Sequence, residues 1–556
     1  MALDKKLHTS RCYIFRLRNR ESLATMSILG LTRRAARAER VISLRLLAKA
    51  TSTSASGRQT HAVAVEGVRA RPRPLSEVPG PPIFPVMGSV PFMMMYREFY
   101  EDKIHQIFFK MIDQYGPIVR FKMPNWAPGV LVSRPEDKET VLRATKNNPI
   151  RNALTSLKKI RDETDDNFFD KNGGLLTEHG EKWWRVRRGV QTPMMKPKNV
   201  DAYMPEVDAV TLLFMNRIAT LQQEFGEMPH NFLQEMYKWA FEAVCVVALN
   251  RRMGCLDPNL SADSEPMRMI RIVGDLFKTL HVAEFTGPLW KIYPTPTFKK
   301  LKRMHQELLE MALTNIRATE AALKKDLEKP GAEDRDLTLI EQLLLRPGLN
   351  HKDVVTLILD LIFAGIDTIS HFIAFTLYLL AKNPEAQRKL QEEVDRVLKD
   401  NPETLTPSHI SKLSYLKAVT KESFRVFPVA IALLRELNTD VVLSGYHIPK
   451  GHIVLMMNYE DAQKETAFPR PREFLPERWL RGSELAASHA FALLPFGVGT
   501  RMCVGRRLAE QELYVFLARV MQRYNVDYNY GDMDSKMQLS LKPTQPLRFS
   551  FTERRP

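Results

Sequence analysis

Apolar side chains recur at spacings of three and four along most of residues 100–425, the signature of helices with one buried face. The clearest runs are Phe99 to Tyr115, Met304 to Leu327, Val354 to Ala381 and Asn383 to Leu398. Asn383-Pro384-Glu385 predicts a helix start, with Asn as N-cap and Pro in the first turn, where no N–H is needed. Short runs predict strands at Ile118–Lys122, Gly129–Val132, Val441–Tyr446 and Ile453–Asn458. A final strand pair is expected at Met537–Leu541 and Leu547–Thr552, around a Lys-Pro-Thr-Gln-Pro turn. No repeat occurs at solenoid periods. The pattern predicts a large domain, mainly α with small β-sheets (α+β) towards its ends.

The N-terminal pattern is different. From Met26 to Thr60 there are seven basic residues, one acid and many Ser, Thr and Ala. At helical spacing Leu31, Ala35, Ala38, Ile42 and Leu46 share one face, and Arg33, Arg37 and Arg40 the opposite one. An amphipathic, Arg-rich, acid-poor segment predicts a mitochondrial transit peptide over residues 1–60, with Met26 as an alternative start. The bland alternative is a disordered basic tail. No run near the start is long and apolar enough for a signal-anchor helix. Arg71-Pro72-Arg73-Pro74 and Val78-Pro79-Gly80-Pro81-Pro82 predict a stiff linker over 61–78, with the folded body starting near residue 75.

Composition narrows the class. The 556 residues are 44% hydrophobic and 26% charged, with 25 Gly and four Cys, which excludes collagen-like, disordered and disulfide-scaffold chains. The formal charge of +17 suggests nucleic acid, but +10 of it lies in residues 1–60. The remaining +7 forms no aromatic-interleaved basic stripe, and no nucleic-acid motif occurs. Cys12, Cys245, Cys255 and Cys503 are too scattered for a disulfide framework or a zinc pair.

Cys503 stands out. It lies in Pro495-Phe496-Gly497-Val498-Gly499-Thr500-Arg501-Met502-Cys503-Val504-Gly505, just before the amphipathic run Leu508 to Tyr524. At a helix N-terminus the dipole and free N–H groups lower a thiol's pKa. Gly499 and Gly505 permit tight turns and close approach of a flat ligand, and Arg501 offers an acidic ligand a partner. A buried structural thiol is the competing reading from physics alone.

The set Phe496, Gly499, Arg501, Cys503 and Gly505 resembles the haem-binding signature of the cytochrome P-450 superfamily. Three further motifs follow the family order. Ala364-Gly365-Ile366-Asp367-Thr368 resembles its oxygen-activating segment, Glu422-Ser423-Phe424-Arg425 its E-x-x-R pair, and Phe468 to Trp479 the loop after it. The resemblance runs from Pro79 to the C-terminus (79–556) and implies a haem-thiolate monooxygenase with haem b, iron protoporphyrin IX. It makes Cys503 the axial iron ligand, shielded by Phe496 and tuned by N–H groups near Gly505. It makes Asp367 and Thr368 the proton-relaying pair; many relatives carry Thr or Ser after this Thr, where this chain has Ile369. Glu422, Arg425 and Arg478 become a buried structural network. Trp183 with Arg187, or equally Trp184 with Arg188, and Arg435 and Arg501 become haem propionate partners.

The resemblance also implies partners. Lys417 and Lys421, spaced i,i+4, with Arg506 and Arg507, match where mitochondrial members dock an acidic ferredoxin fed by NADPH-ferredoxin reductase. The expected location is the matrix side of the inner membrane, with peripheral membrane contact through the apolar, proline-broken stretch Phe277 to Phe298. Core packing is the alternative for that stretch. Ala364 and Val429 to Leu434 are apolar or small, consistent with a lipophilic substrate oxidised with O2. Glu178–Lys198 and Trp239–Leu256 look most like arthropod mitochondrial members, which hydroxylate ecdysteroids or foreign compounds. Rival functions are an isomerase or dehydratase on the same fold, and a non-catalytic haem protein.

Overall fold

The computed structural model describes residues 71–96, 102–124, 126–164, 168–285, 287–328 and 336–554. The transit-peptide expectation, Cys12 and most of the linker lie outside the described residues. Ten helices of twelve residues or more are described: α1 (Ile104–Tyr115), α2 (Gly180–Met195), α3 (Met204–Phe225), α4 (Leu233–Leu249), α5 (Glu265–Phe285), α6 (Pro296–Leu327), α7 (His351–Lys382), α8 (Pro384–Leu398), α9 (Ser414–Val426) and α10 (Arg506–Arg523).

Helix α7 is the axis of the molecule. Its start is fixed by a capping box: Asn350 Oδ1 accepts from the Asp353 N–H at 2.8 Å, and Asp353 Oδ2 accepts from the Asn350 N–H at 2.9 Å. It is the one helix among the described residues long and apolar enough to cross a membrane, but 78% of that window is buried by α4, α6, α9 and other elements packed around it. Helix α8 begins at Pro384 as expected, yet Asn383 does not cap it. Its amide instead donates back to Leu379 O at 2.7 Å, closing the end of α7. With Pro at N1 supplying no N–H, the stronger demand came from the orphaned carbonyls of the preceding helix.

Strands β1 (Ile118–Phe121), β2 (Gly129–Val132), β3 (Ala432–Glu436) and β6 (Ile453–Met457) form one sheet in the order β1-β2-β6-β3, with β2 parallel to β6. Gly129 faces Ile453, whose carbonyl oxygen would lie 2.3 Å from any Cβ added there. The expected strand Val441–Tyr446 is in fact a hairpin, β4 (Val441–Leu443) and β5 (Tyr446–Ile448). Ser444 and Gly445, at φ 48° and 83°, make the two-residue turn whose twist suits paired strands. The C-terminal pairing also differs from expectation. Strand β8 (Ser535–Gln538) turns at Leu539 into β9 (Ser540–Pro543), while β10 (Ser550–Glu553) pairs with β7 (Tyr524–Asp527). The proline turn therefore links two different sheets. Near the start of the described residues Arg73 bridges Tyr446, with its guanidinium 3.9 Å from that ring's centroid.

Candidate active site

Cys503 is accessible, whereas Cys245 and Cys255 are buried. Its loop is built by glycine conformations: Gly497 and Gly499 take φ of 67° and 80°. Their turns close through the Gly497 N–H to Leu494 O at 3.0 Å and the Met502 N–H to Gly499 O at 3.1 Å. The Cys503 N–H then donates to Phe496 O at 2.9 Å, and the Gly505 N–H bonds the thiol. Gly505 itself has an ordinary φ of −84°, so no tight turn needs it; a Cβ there would stand 4.0 Å from Sγ. Gly497 was not singled out from the sequence, although its neighbour Gly499 was. Phe496 packs edge-on against Phe424 at 5.1 Å, and Arg506 lies 5.6 Å over its ring.

The expectation of a lowered thiol pKa is corrected. Although Cys503 keeps an accessible face, the protein packed around it desolvates the thiol and pushes it up, against the Gly505 N–H and the charges of Arg187, Arg151 and Arg506. Desolvation acts over the whole surrounding volume, while the helix dipole acts through one turn. A cation bound at the sulfur reverses that balance.

Four guanidiniums belong to this region: Arg151, Arg187, Arg435 and Arg501. Arg501 is pushed down to about 8 by burial and then by Arg151, Arg435 and Arg187. Arg435 is pushed down to about 10 by burial and Arg151, and burial lowers Arg187 and Arg151. The Nε atoms of Arg151 and Arg501 are buried without a hydrogen-bond partner. Arg501 otherwise donates to Pro149 O at 3.0 Å and Glu178 O at 2.9 Å, and lies 4.8 Å over the Trp183 ring. Of the two Trp/Arg pairs left open by spacing, Trp183 and Arg187 are each 3% exposed. Arg188 points outward, 6.0 Å over Trp184. Mutual repulsion and orphaned donors fit a flat group carrying two carboxylates beside Cys503. Among the described residues no group of three His, Cys, Asp or Glu could hold a bare metal ion, so further donors must come with the metal. Arg151 carries no motif; only the fold brings it here.

On α7, Leu361, Ala364, Gly365 and Thr368 are partly exposed while Ile362, Phe363, Ile366, Asp367 and Ile369 are buried. The spacing of three, four and seven places these four residues on a single partly exposed stripe of the core helix. Gly365 serves packing: a Cβ there would meet Val244 Cγ2 of α4 at 2.5 Å. Thr368 Oγ1 donates to Ala364 O at 2.7 Å, which leaves the hydroxyl oxygen's lone pairs free to accept. Asp367 is 5% exposed, and its Oδ1 has no hydrogen-bond partner. Burial pushes it up to about 6, with Lys542 opposing.

Glu422, Arg425 and Arg478 meet in the core. Glu422 accepts from Arg425, Arg478, the Trp479 indole and the Leu475 N–H at 2.8–3.0 Å. The remaining guanidinium N–H groups bind carbonyls of Ala462, Pro469, Pro471 and Leu485. The basic face is less uniform. Lys421 and Arg507 are exposed, Lys421 lying 5.8 Å over the Trp479 ring. Arg506 pairs with Glu510 at 3.0 Å, and Lys417 is half-buried, donating to Ser411 O at 2.9 Å.

A cavity of about 160 Å³ is lined by Trp126, Leu154, Phe285, Ile431, Leu434 and Leu539, with Ala430 and Ala432 from the expected segment and Glu284 as its one ionisable wall residue. Val429, Leu433 and Ala364 are not in its lining. Glu284, missed from sequence, accepts from Ser156 N–H at 2.7 Å, tying the end of α5 to the cavity wall. The stretch Phe277 to Phe298 divides: Phe277, Phe285, Trp290 and Phe298 are core, while Leu289, Ile292 and Tyr293 are 71%, 90% and 65% exposed. Thr286 lies outside the described residues.

Residues 78–551 match the family model described as "Cytochrome P450". The chain is 34% identical over 496 residues to "Probable cytochrome P450 49a1" of Drosophila melanogaster, covering 87% of this chain and 83% of that one. It is 31% identical to "Probable cytochrome P450 301a1, mitochondrial" of the same species, covering 86% and 87%. Against "Cytochrome P450 CYP12A2" of Musca domestica it is 34% identical, covering 79% and 84%.

Proposed function

The chain belongs to the cytochrome P450 family and is a haem-dependent monooxygenase; from that premise we propose that it works in the mitochondrion and takes its electrons from a ferredoxin. Its substrate in this reading is a steroid- or ecdysteroid-like molecule or a foreign lipophile. The observation that carries the reading is the accessible Cys503 amid buried, mutually repelling guanidiniums, one of which, Arg435, stands on the strand that also lines an apolar cavity.

Cys503 would hold the haem iron through its sulfur, and Arg151, Arg187, Arg435 and Arg501 with Trp183 would hold the propionates. When bound, haem b supplies the iron centre that activates O2. The chain's own residues do the rest. Phe496 and the Gly505 N–H shield the thiolate and lower its basicity. Thr368 accepts and passes a hydrogen bond at the open face of α7, and Asp367 exchanges its proton near neutral pH. The apolar wall excludes water and holds the lipophile.

Relatives named mitochondrial and the Arg-rich N-terminal segment support a transit peptide over residues 1–60 and a place on the matrix side of the inner membrane. Exposed Lys421 and Arg507 support ferredoxin docking, which steers encounter more than it adds affinity. Lys417→Glu with Lys421→Glu should slow ferredoxin-driven turnover and spare peroxide-driven turnover; equal loss of both sinks the docking assignment. Leu289, Ile292 and Tyr293 are assigned to peripheral membrane contact. Co-sedimentation with lipid vesicles that Leu289→Asp and Ile292→Asp together leave unchanged would refute it.

A further inference from the structure

The charge of Asp367 is felt by groups on two other elements, Tyr237 of α4 and Lys542 of β9. Tyr237 is tied to His371, one turn beyond Asp367 on α7, and His371 to Ser540 of β9. Tyr237 Oη and His371 Nε2 are 2.8 Å apart, and His371 Nδ1 and Ser540 Oγ 3.3 Å. This buried chain pins the β8–β9 hairpin onto α7 and α4. Lys542, two residues beyond Ser540, sits on the same face of β9. Its Nζ lies 5.8 Å from the Tyr237 ring centroid, and its residue is half-exposed where Tyr237, His371 and Ser540 are buried.

This arrangement leaves a carboxylate with an unpartnered oxygen in the core, within reach of a single cation that touches solvent. Burial holds His371 neutral, well below its usual range, and raises the Tyr237 phenol, so neither supplies charge near neutral pH. Lys542 in turn faces Lys536 of β8 and the exposed Lys278 of α5. Lys536 is partly spent on Asp102, at 3.7 Å. The same hairpin carries Met537 and Leu539, which line the cavity.

We propose that Lys542 is the charge partner of Asp367: a positioning residue on the C-terminal hairpin that sets how readily Asp367 gives up and regains its proton. The proposal rests on Asp367 acting as the proton-relaying acid. Lys542 favours the ionised carboxylate against the desolvation that opposes it, so Asp367 exchanges its proton near neutral pH instead of remaining an acid. Lys542 is partly exposed and outside the cavity lining, so charge compensation comes without placing a cation among the apolar wall residues.

The test is infrared difference spectroscopy of the haem-loaded protein across the neutral range, with the Asp367 carboxyl band assigned as the one lost in Asp367→Asn. The wild-type midpoint is expected near 6. Lys542→Met should raise it by about one unit or more, a tenfold change in proton affinity, and Lys542→Arg should restore it. Lys542→Gln keeps a polar tip on a shorter stem and gives the same direction should the methionine variant fail to hold haem. A midpoint unmoved by Met and Gln, or not restored by Arg, overturns the proposal. The share of electrons lost to peroxide separates the two readings. If Asp367→Asn leaves that share unchanged, the role of Asp367 fails; if it raises the share while Lys542→Met moves no midpoint, the partner role alone fails.

Discussion

Glu422→Gln tests whether the buried network holds the haem-side core together. Glu422 Oε1 accepts from Arg425 Nη2 at 2.8 Å, Arg478 Nε at 3.0 Å and the Leu475 N–H at 2.9 Å. Its Oε2 accepts from Arg425 Nε at 3.0 Å and Trp479 Nε1 at 2.9 Å. All three charged side chains are 0% exposed. Glutamine keeps one acceptor, and its NH2 group meets two or three donors whichever way it turns. Placed at the Oε2 position, it leaves the Arg425 Nε–H and the Trp479 Nε1–H without an acceptor, each worth about 1–3 kcal/mol when buried. Two guanidiniums also lose their counter-charge, and breaking a buried pair costs about 3–5 kcal/mol overall. That is a large part of a domain's usual ~5–15 kcal/mol. The assay is urea unfolding followed by circular dichroism and the haem absorption band, beside Glu392→Gln, which breaks an exposed pair with Arg388. The control should change by less than about 0.5 kcal/mol. A loss below about 1 kcal/mol in Glu422→Gln, with haem retained, would refute the structural role.

Other variants probe the open face of α7. Thr368→Ala should keep haem but divert electrons to peroxide; unchanged coupling would remove Thr368 from the relay. Asp367 binds its proton more tightly folded than unfolded, so its penalty is absent below about pH 4, grows as pH rises to about 6 and is constant above that. Asp367→Asn should therefore be more stable than wild type above that pH, by up to about 3 kcal/mol, with the gain fading towards about pH 4. A gain independent of pH would refute the burial argument. Gly365→Ala drives a methyl to 2.5 Å from Val244, so overpacking of about 1–3 kcal/mol should outweigh the ~1 kcal/mol gain in helix propensity. Adding Val244→Ala should recover most of the loss in a double-mutant cycle, and no recovery would place the strain elsewhere.

The residues legible from sequence are those whose chemistry is local. Glu422 and Arg425 share a helix face by spacing, and Asp367 and Thr368 interrupt an otherwise apolar stretch of helix. Cys503 follows two glycines, Gly497 and Gly499, whose positive φ its loop requires. The mainly α architecture with small sheets followed from apolar periods of three and four, because a helix of twenty or thirty residues repeats its buried face many times. The short C-terminal strands repeat theirs only once or twice, and their partners were misread.

What the tertiary structure alone decided are quantities with no local carrier. Trp183 with Arg187 and Trp184 with Arg188 have the same spacing; only the rotation of α2 against the core buries one pair and leaves Arg188 outside. Arg151, Glu284 and Lys542 lie far along the chain from the motifs they approach, and no spacing rule reaches them. The direction of the Cys503 pKa is a property of the volume around the sulfur. A helix N-terminus is visible in sequence, but how much protein packs around the accessible thiol is not, and here that desolvation prevails.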